Sequence, residues 1–397
     1  MSIFRSVSEI STEDLAALLA ENAVENLRLE FKRTIPAKDE FLKKASAFFN
    51  TYGGTLVIGA QANSKDGRVE GLPGVDKEPG LKQRLVQWCF EGLWPPTEVS
   101  VSDPVPVPNS PERVCYVVAF SESPEAPHFI NGRKGCFVRT DEFSQRFESR
   151  LATYDEIAHL RNRREELVRR RKSILIRALN RLEVVKSDTS WVPAARLTVF
   201  VCPLFPAGTL TEEDQLVEAL GRSRVRWRHH GFPIIVDPIS QHESLVLVGA
   251  AGDHSAVEVG IWGSLFYSSE IEDKVDGGRL IHLSSLVGLL LVFLEHSSRF
   301  LSQTGFSGLV QVTVGLHGVR GVPVATLDGP SSPLDDEFQL ETRISVGRLA
   351  SSRDALATQM LKQLLFALNW QLGATDESVG AFVNYGYEFN GWTMHPP

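Results

Sequence analysis

The chain has 397 residues, 43% of them hydrophobic and 23% charged, which is ordinary globular usage and excludes a chain that is disordered throughout. At roughly 100 to 200 residues per domain, the length predicts two domains or three. The formal net charge of -8 argues against a protein that coats nucleic acid through bulk charge, but the charge is uneven. Residues 1–186 carry 28 Lys and Arg against 26 Asp and Glu, and residues 187–397 carry 13 against 23.

The most apolar run, Leu286 to Leu294, is far short of the ~18 to 20 residues that span a bilayer, so no transmembrane helix and no membrane partner are expected. The start, MSIFRSVSEISTEDL, lacks the basic and apolar regions of a signal peptide, which gives an expectation of cytoplasmic location. Cys89, Cys115, Cys136 and Cys202 form neither a CxxC zinc spacing nor a dense disulfide framework and are expected to be reduced. Neither HExxH nor GxxxxGK[ST] is present, so zinc proteolysis and P-loop ATP hydrolysis lose their main support.

In chain order, residues 12–22 predict a helix with Thr12 as N-cap. LRLEFKR, residues 27–33, alternates apolar and polar and predicts a half-buried strand. Asp39 to Asn50 reads as a helix, GGTLVIGA as a turn and a short buried strand, and SKDGRVEGL as a turn before another strand. Leu81 to Gly92 predicts a further helix, and Arg113 to Phe120 and Gly135 to Arg139 predict strands. Tyr154 to Lys186 has ten basic residues against five acidic ones, with Ile157, Leu160, Leu167, Ile174, Ala178 and Leu182 at helical spacing. This is a long basic amphipathic helix, either a solvated connector or a phosphate-tracking face that includes Arg163 and Arg170.

Ser187 to Pro193 marks a boundary, after which four strand candidates and two long helices, residues 280–301 and 354–372, follow. GRSRVRWRHHGF sets Arg222, Arg224, Arg226 and Arg228 two apart, as on one face of a ribbon. The fold class expected is α+β: a domain at 1–150, the connector helix at 151–186, and an acidic α+β domain at 187–397 of unknown role.

The informative stretch is Glu25 to Gly71. Glu25 and Glu30 lie five apart, so a turn before the strand lets the two carboxylates converge, and two carboxylates can hold a divalent cation if a third ligand joins them. Gly53 and Gly54 permit positive φ and close approach of another backbone, and exposed amides there can meet a phosphate. Lys32 and Arg33, followed by the helix lysines Lys38, Lys43 and Lys44, are candidate phosphate contacts, Arg133, Lys134 and Arg139 can add to that face, and Asn50 stands with them as a candidate nucleic-acid contact; lysines on a helix surface are usually only solvated, so Lys32 and Arg139 lead.

Glu25 with LEFK (Leu29 to Lys32), SAFFNTYGGTLVIGA (Ser46 to Ala60, with Asn50), GRVEGL (Gly67 to Leu72) and GRKGCFVRTDEFSQ (Gly132 to Gln145, with Arg133, Lys134 and Arg139) together resemble the Schlafen-type AlbA-like domain, once labelled a divergent AAA ATPase domain. The resemblance covers about residues 20 to 150. It implies a fold that binds nucleic acid, RNA or DNA, in bacterial regulatory or defence proteins. In nuclease members it implies two glutamates and an aspartate that cleave structured RNA with a divalent metal.

Glu25 and Glu30 match the two glutamates, with Lys32 beside them in the catalytic set. The third acidic position falls near Gln61 and Ala62, which are neutral, leaving Asp66 as the substitute metal ligand. Mg2+ or Mn2+ is then the expected cofactor of the alternative reading, a metal-dependent endoribonuclease. Nucleotide (ATP) binding is a third reading. A homo-oligomer or a partner protein is expected to engage the C-terminal domain.

Overall fold

The computed structural model describes residues 7, 10–97, 99–108, 110–131, 135–140, 148–188, 194–234, 238–249, 254–275, 278–326, 329–369 and 376–392. The expectations on Arg133, Lys134, the stretch from Asp141 to Gln145 and linker residues 189–193 lie outside them. Both helices and strands are abundant, giving the expected α+β class. Two compact units are formed, residues 1–166 and 167–397. The division therefore falls inside the long helix.

The first unit runs α1 (Thr12–Ala20), β1 (Leu29–Lys32), α2 (Lys38–Asn50), β2 (Gly54–Ile58), β3 (Gln61–Ala62), β4 (Val69–Gly71), β5 (Val75–Asp76) and α3 (Leu81–Gly92). It continues through β6 (Leu93–Trp94), β7 (Ser100–Val101), β8 (Val105–Val107), β9 (Ser110–Phe120), β10 (Phe129–Ile130), β11 (Gly135–Thr140), β12 (Glu148–Leu151) and the start of α4 (Tyr154–Asp188). Ser11, not Thr12, caps α1: it accepts from Asp14 N–H while the Asp14 carboxylate accepts from Ser11 N–H, a reciprocal capping box.

β1 is an edge strand parallel to β2, with Leu29 opposite Thr55 and Lys32 opposite Ile58. Parallel neighbours need a crossover, which α2 provides. β2 runs antiparallel to the long β9, which also pairs with β5, β7 and β8. Phe41, Leu42, Phe48 and Phe49 of α2 pack with Leu81 and Leu85 of α3 on one face of this sheet, together with Leu93, Ile130 and Phe137 of the small β6–β10–β11–β12 sheet. Leu15 and Leu18 of α1 pack with Leu29, Phe31, Val57 and Val117 on the other face.

The second unit holds the rest of α4, then β13 (Arg196–Pro203), α5 (Leu216–Ser223), β14 (Val225–Trp227), β15 (His230–Phe232), β16 (Ile239–Gln241), β17 (Ser244–Val248), β18 (Ser255–Gly260) and β19 (Leu265–Glu270). β20 (Glu272–Val275), β21 (Gly278–His282), α6 (Leu283–Gln303), β22 (Leu309–His317), β23 (Val324–Thr326), β24 (Gly329–Ser331), β25 (Glu337–Ser345), α7 (Val346–Ser351), α8 (Arg353–Ala367) and α9 (Asp376–Asn390) complete it.

Seven strands form one sheet in the order β16-β17-β18-β19-β13-β22-β25. The four strand candidates of the sequence, RLTVFVCPLF from Arg196, SLVLVGAA from Ser244, AVEVGIWGSLFY from Ala256 and LVQVTVGL from Leu309, supply β13, β17, β18 with the start of β19, and β22 of it. Ile174, Ala178 and Leu182 of α4 pack on Phe200, Cys202 and Phe266 from this sheet, so the apolar stripe read from the sequence is a packing face.

α6 corrects the membrane expectation in one respect: by length and composition it is apolar enough to cross a bilayer, and 78% of its most apolar window is buried inside the unit. Counting only uninterrupted apolar residues missed it, because Gly288, Ser297 and His296 are accommodated within the core. The arginine ribbon is also corrected. Arg222 lies in the last turn of α5, and the strand that follows, Val225 to Trp227, holds only Arg226 of the four before pairing back with His230 to Phe232. Arg228 turns back at φ 52° and sets its guanidinium 3.9 Å from the Phe389 ring centroid, so the four arginines share no single face. All four cysteines are free and fully buried, and burial pushes the thiols of Cys89, Cys115 and Cys136 up to about 12.

Candidate functional site

The alternation read in LRLEFKR put Glu30 on a solvated face. Instead it is buried, at 3% exposure. Leu29 and Phe31 turn to the α1 side, so Glu30 turns to the α2 side, where three cations meet it. Its Oε1 accepts from Lys44 Nζ at 2.7 Å and lies 3.2 Å from Lys32 Nζ, and its Oε2 is bound by the Arg139 guanidinium. Burial by itself would raise this carboxyl, but Lys44, Arg139 and Lys32 together hold it below the ordinary carboxylate range.

Glu25 reaches the same place by another route. Its backbone N–H donates to Gly67 O at 2.9 Å, and its Oε1 accepts from Phe31 N–H at 2.8 Å, folding the side chain back over β1. Burial and, after it, the neighbouring Glu30 charge push its carboxyl up against the opposing pull of the Phe31 amide. The two glutamates thus belong to one electrostatic cluster with opposite shifts. Lys32 is 30% exposed and also lies 3.6 Å from Glu40. Burial opposes its charge, and the attraction of Glu30, Glu40 and Glu25 outweighs that, raising its pKa.

Arg139 is built into the interior beside Glu30 and not set on the surface where the sequence reading placed it. Its side chain is fully buried, its Nη2 donates to Asn26 O at 2.9 Å, its Cζ lies 4.3 Å from the Phe48 ring centroid, and its backbone N–H donates to Thr51 Oγ1 at 2.9 Å. Asn50 is likewise removed from any ligand. It is 3% exposed, accepts from His128 N–H at 2.7 Å and donates to His128 O at 3.0 Å and Phe137 O at 2.9 Å, tying α2 to the second sheet.

Gly53 and Gly54 take φ of 67° and 146° where a Cβ would come within 2.5 Å of Phe120 O and Arg28 O respectively. The Gly53 amide donates to Phe48 O at 3.0 Å, so this turn is shaped for backbone packing and not as an anion cradle. Arg33 is exposed beside the cluster, and Lys43 sits 5.4 Å from the Phe137 ring centroid.

Asp66 lies in the turn after β3, where its carboxylate accepts from Arg68 N–H at 3.0 Å. Among the described residues, no three His, Cys, Asp or Glu side chains gather to hold a metal ion. Arg163 and Arg170 are each engaged within their own unit. Arg163 bonds Glu122 and Ser123 O, and Arg170 bonds Pro206 O and stacks on Trp262.

Lys44 is the functional candidate that sequence reasoning undervalued, since it was grouped with surface lysines. Its signal was legible: Phe41 and Phe48 lie three residues before and four after it, which places Lys44 on the buried stripe of α2. Arg28 and Tyr52 were also passed over. Tyr52 is 51% exposed, and the Arg28 guanidinium lies 5.7 Å from its ring centroid.

Residues 25–148 match the family model described as Schlafen, AlbA_2. The matched span opens on Glu25 and closes in β12, so it contains the whole glutamate cluster. It suggests a nucleic-acid-binding or nuclease-like domain, here the AlbA_2 domain. No curated protein matches the chain.

Proposed function

We propose that the AlbA_2 domain binds nucleic acid, RNA or DNA, over the surface carrying Lys32 and Lys44, with Arg28, Arg33, Lys43 and Tyr52 at its margin. The observation that carries this reading is the arrangement around Glu30: one buried carboxylate fixes two lysines that remain partly open to solvent, at 30% and 14% exposure. Fixed ammonium groups lose little freedom when a phosphate arrives. The acidic second unit contributes protein contacts or self-association in a bacterial regulatory or defence setting.

Anisotropy titrations with labelled single-stranded and duplex RNA and DNA over a salt series test the reading. Each phosphate contact removed, as in Arg33→Ala or Lys43→Ala, is expected to flatten the slope of log affinity against log salt by about 0.7 to 0.9. No binding at low salt would defeat it.

The endoribonuclease reading draws on one specific feature, the pair of neighbouring glutamates whose protonation is driven in opposite directions. The donor set does not fit a metal as arranged: both oxygens of Glu30 are held by cations, and Asp66 binds its own turn. Incubation with tRNA and ribosomal RNA in Mg2+ or Mn2+ discriminates. Cleavage abolished by Glu25→Gln and by Glu30→Gln, with folding retained, would establish catalysis at this pair; cleavage that survives both would remove it from the site. ATP binding gains no support from the Gly53–Gly54 turn.

A further inference from the structure

The seven-stranded sheet of the second unit ends on β25, a nine-residue strand, while its opposite edge, β16, has three residues. The backbone polarity of β25 can be read from one bond. Val346 N–H donates to Gly308 O at 3.1 Å, one step beyond the Leu309–Ser345 pair. Hydrogen-bonded pairs alternate along an antiparallel ladder, so Phe338, Leu340, Thr342 and Ile344 turn their N–H and C=O groups toward β22. Glu337, Gln339, Glu341, Arg343 and Ser345 turn theirs outward. Among the described residues no strand pairs with that side.

We infer that β25 pairs antiparallel with β25 of a second copy of this chain, joining two seven-stranded sheets edge to edge. The sequence of the strand is self-complementary in charge about Leu340. In that register Glu337 stands opposite the partner's Arg343 at both ends, Gln339 opposite the partner's Glu341, Phe338 opposite the partner's Thr342, and Leu340 opposite itself. Centring on Glu341 would set two carboxylates directly against each other. Centring on Thr342 would drive the paired stretch into Ser345, the cap of α7.

The favoured register forms about eight inter-chain backbone hydrogen bonds, two for each outward-facing pair. Arg343 is exposed and makes no ion pair within its own chain among the described residues, and it lies near enough to Arg171 for the two like charges to repel, so the partner's Glu337 offers it an opposite charge.

Sedimentation velocity of the full chain over a concentration series tests the inference. The wild type is expected to show a reversible monomer–dimer equilibrium. Glu341→Pro removes an outward N–H that β22 does not use, and Arg343→Glu sets glutamate against glutamate; each is expected to raise the dimer dissociation constant at least ~10-fold with unchanged far-UV circular dichroism. The double exchange Glu337→Arg with Arg343→Glu is expected to restore the dimer. A chain that is monomeric at every concentration, or a dimer indifferent to both single substitutions, overturns the inference.

Discussion

Replacing Glu30 by glutamine removes the one negative charge shared by Lys44, Lys32 and Arg139 while leaving side-chain volume nearly unchanged. At an effective dielectric near 20, attraction is about 6 kcal/mol for Lys44 at 2.7 Å and about 5 kcal/mol for Lys32 at 3.2 Å. Desolvation of several kcal/mol per ion offsets much of this, and solvent at Lys32 screens its share. The variant, however, leaves the buried Arg139 without its carboxylate. A loss of roughly 3 to 5 kcal/mol is expected, confined to the first unit.

Urea unfolding followed by the fluorescence of Trp88 and Trp94, which lie in that unit, measures the loss. The double variant Glu30→Gln with Arg139→Gln is expected to be less damaged than the sum of the two singles, by about 1 to 3 kcal/mol. The pH dependence has a definite sign. Because the folded carboxyl is held below its unfolded value, its stabilisation is fully present above pH ~4.3 and is lost as pH falls through the lowered folded value; Glu30→Gln abolishes that slope. A loss under ~1 kcal/mol, the scale of an exposed pair, or strict additivity in the double variant, would refute the reasoning.

Asn50→Ala strands the His128 amide and the Phe137 carbonyl in the core, His128 O keeping its bond from Ser46 Oγ, and is expected to cost about 3 kcal/mol in the same unfolding assay, with no change in the salt slope of any binding. Tyr52→Ala is expected to weaken single-strand binding about 10-fold through lost base stacking while Tyr52→Phe retains it, and equal affinities for all three proteins would remove Tyr52 from the surface. His128 and His296 are buried and held neutral, each lowered from 6.5 to about 4 chiefly by desolvation. Their stabilisation is complete above pH ~6.5 and falls by about 3 kcal/mol each as pH drops toward 4, which unfolding titrations of His128→Gln and His296→Gln would check by a flattened acid limb.

What the sequence determined by itself was local and periodic. Leu81 to Gly92 is helical over the span expected, and of the apolar stripe, Leu160, Leu167, Ile174, Ala178 and Leu182 are buried while Ile157 at its start is half-buried. The ordered motifs from Glu25 to Gly71, with the segment around Arg139, located the domain that the family model matches. These signals survive because helix period and backbone turns depend on near neighbours in the chain. Tertiary structure alone decided the fate of single polar residues. Glu30 and Asn50 read as solvent-facing or ligand-facing in sequence, and both are buried because partners more than 75 residues away, Arg139 and His128, supply their charge and hydrogen bonds. Burial of a polar group depends on a donor arriving from a distant strand, and no period of two or 3.6 records that arrival.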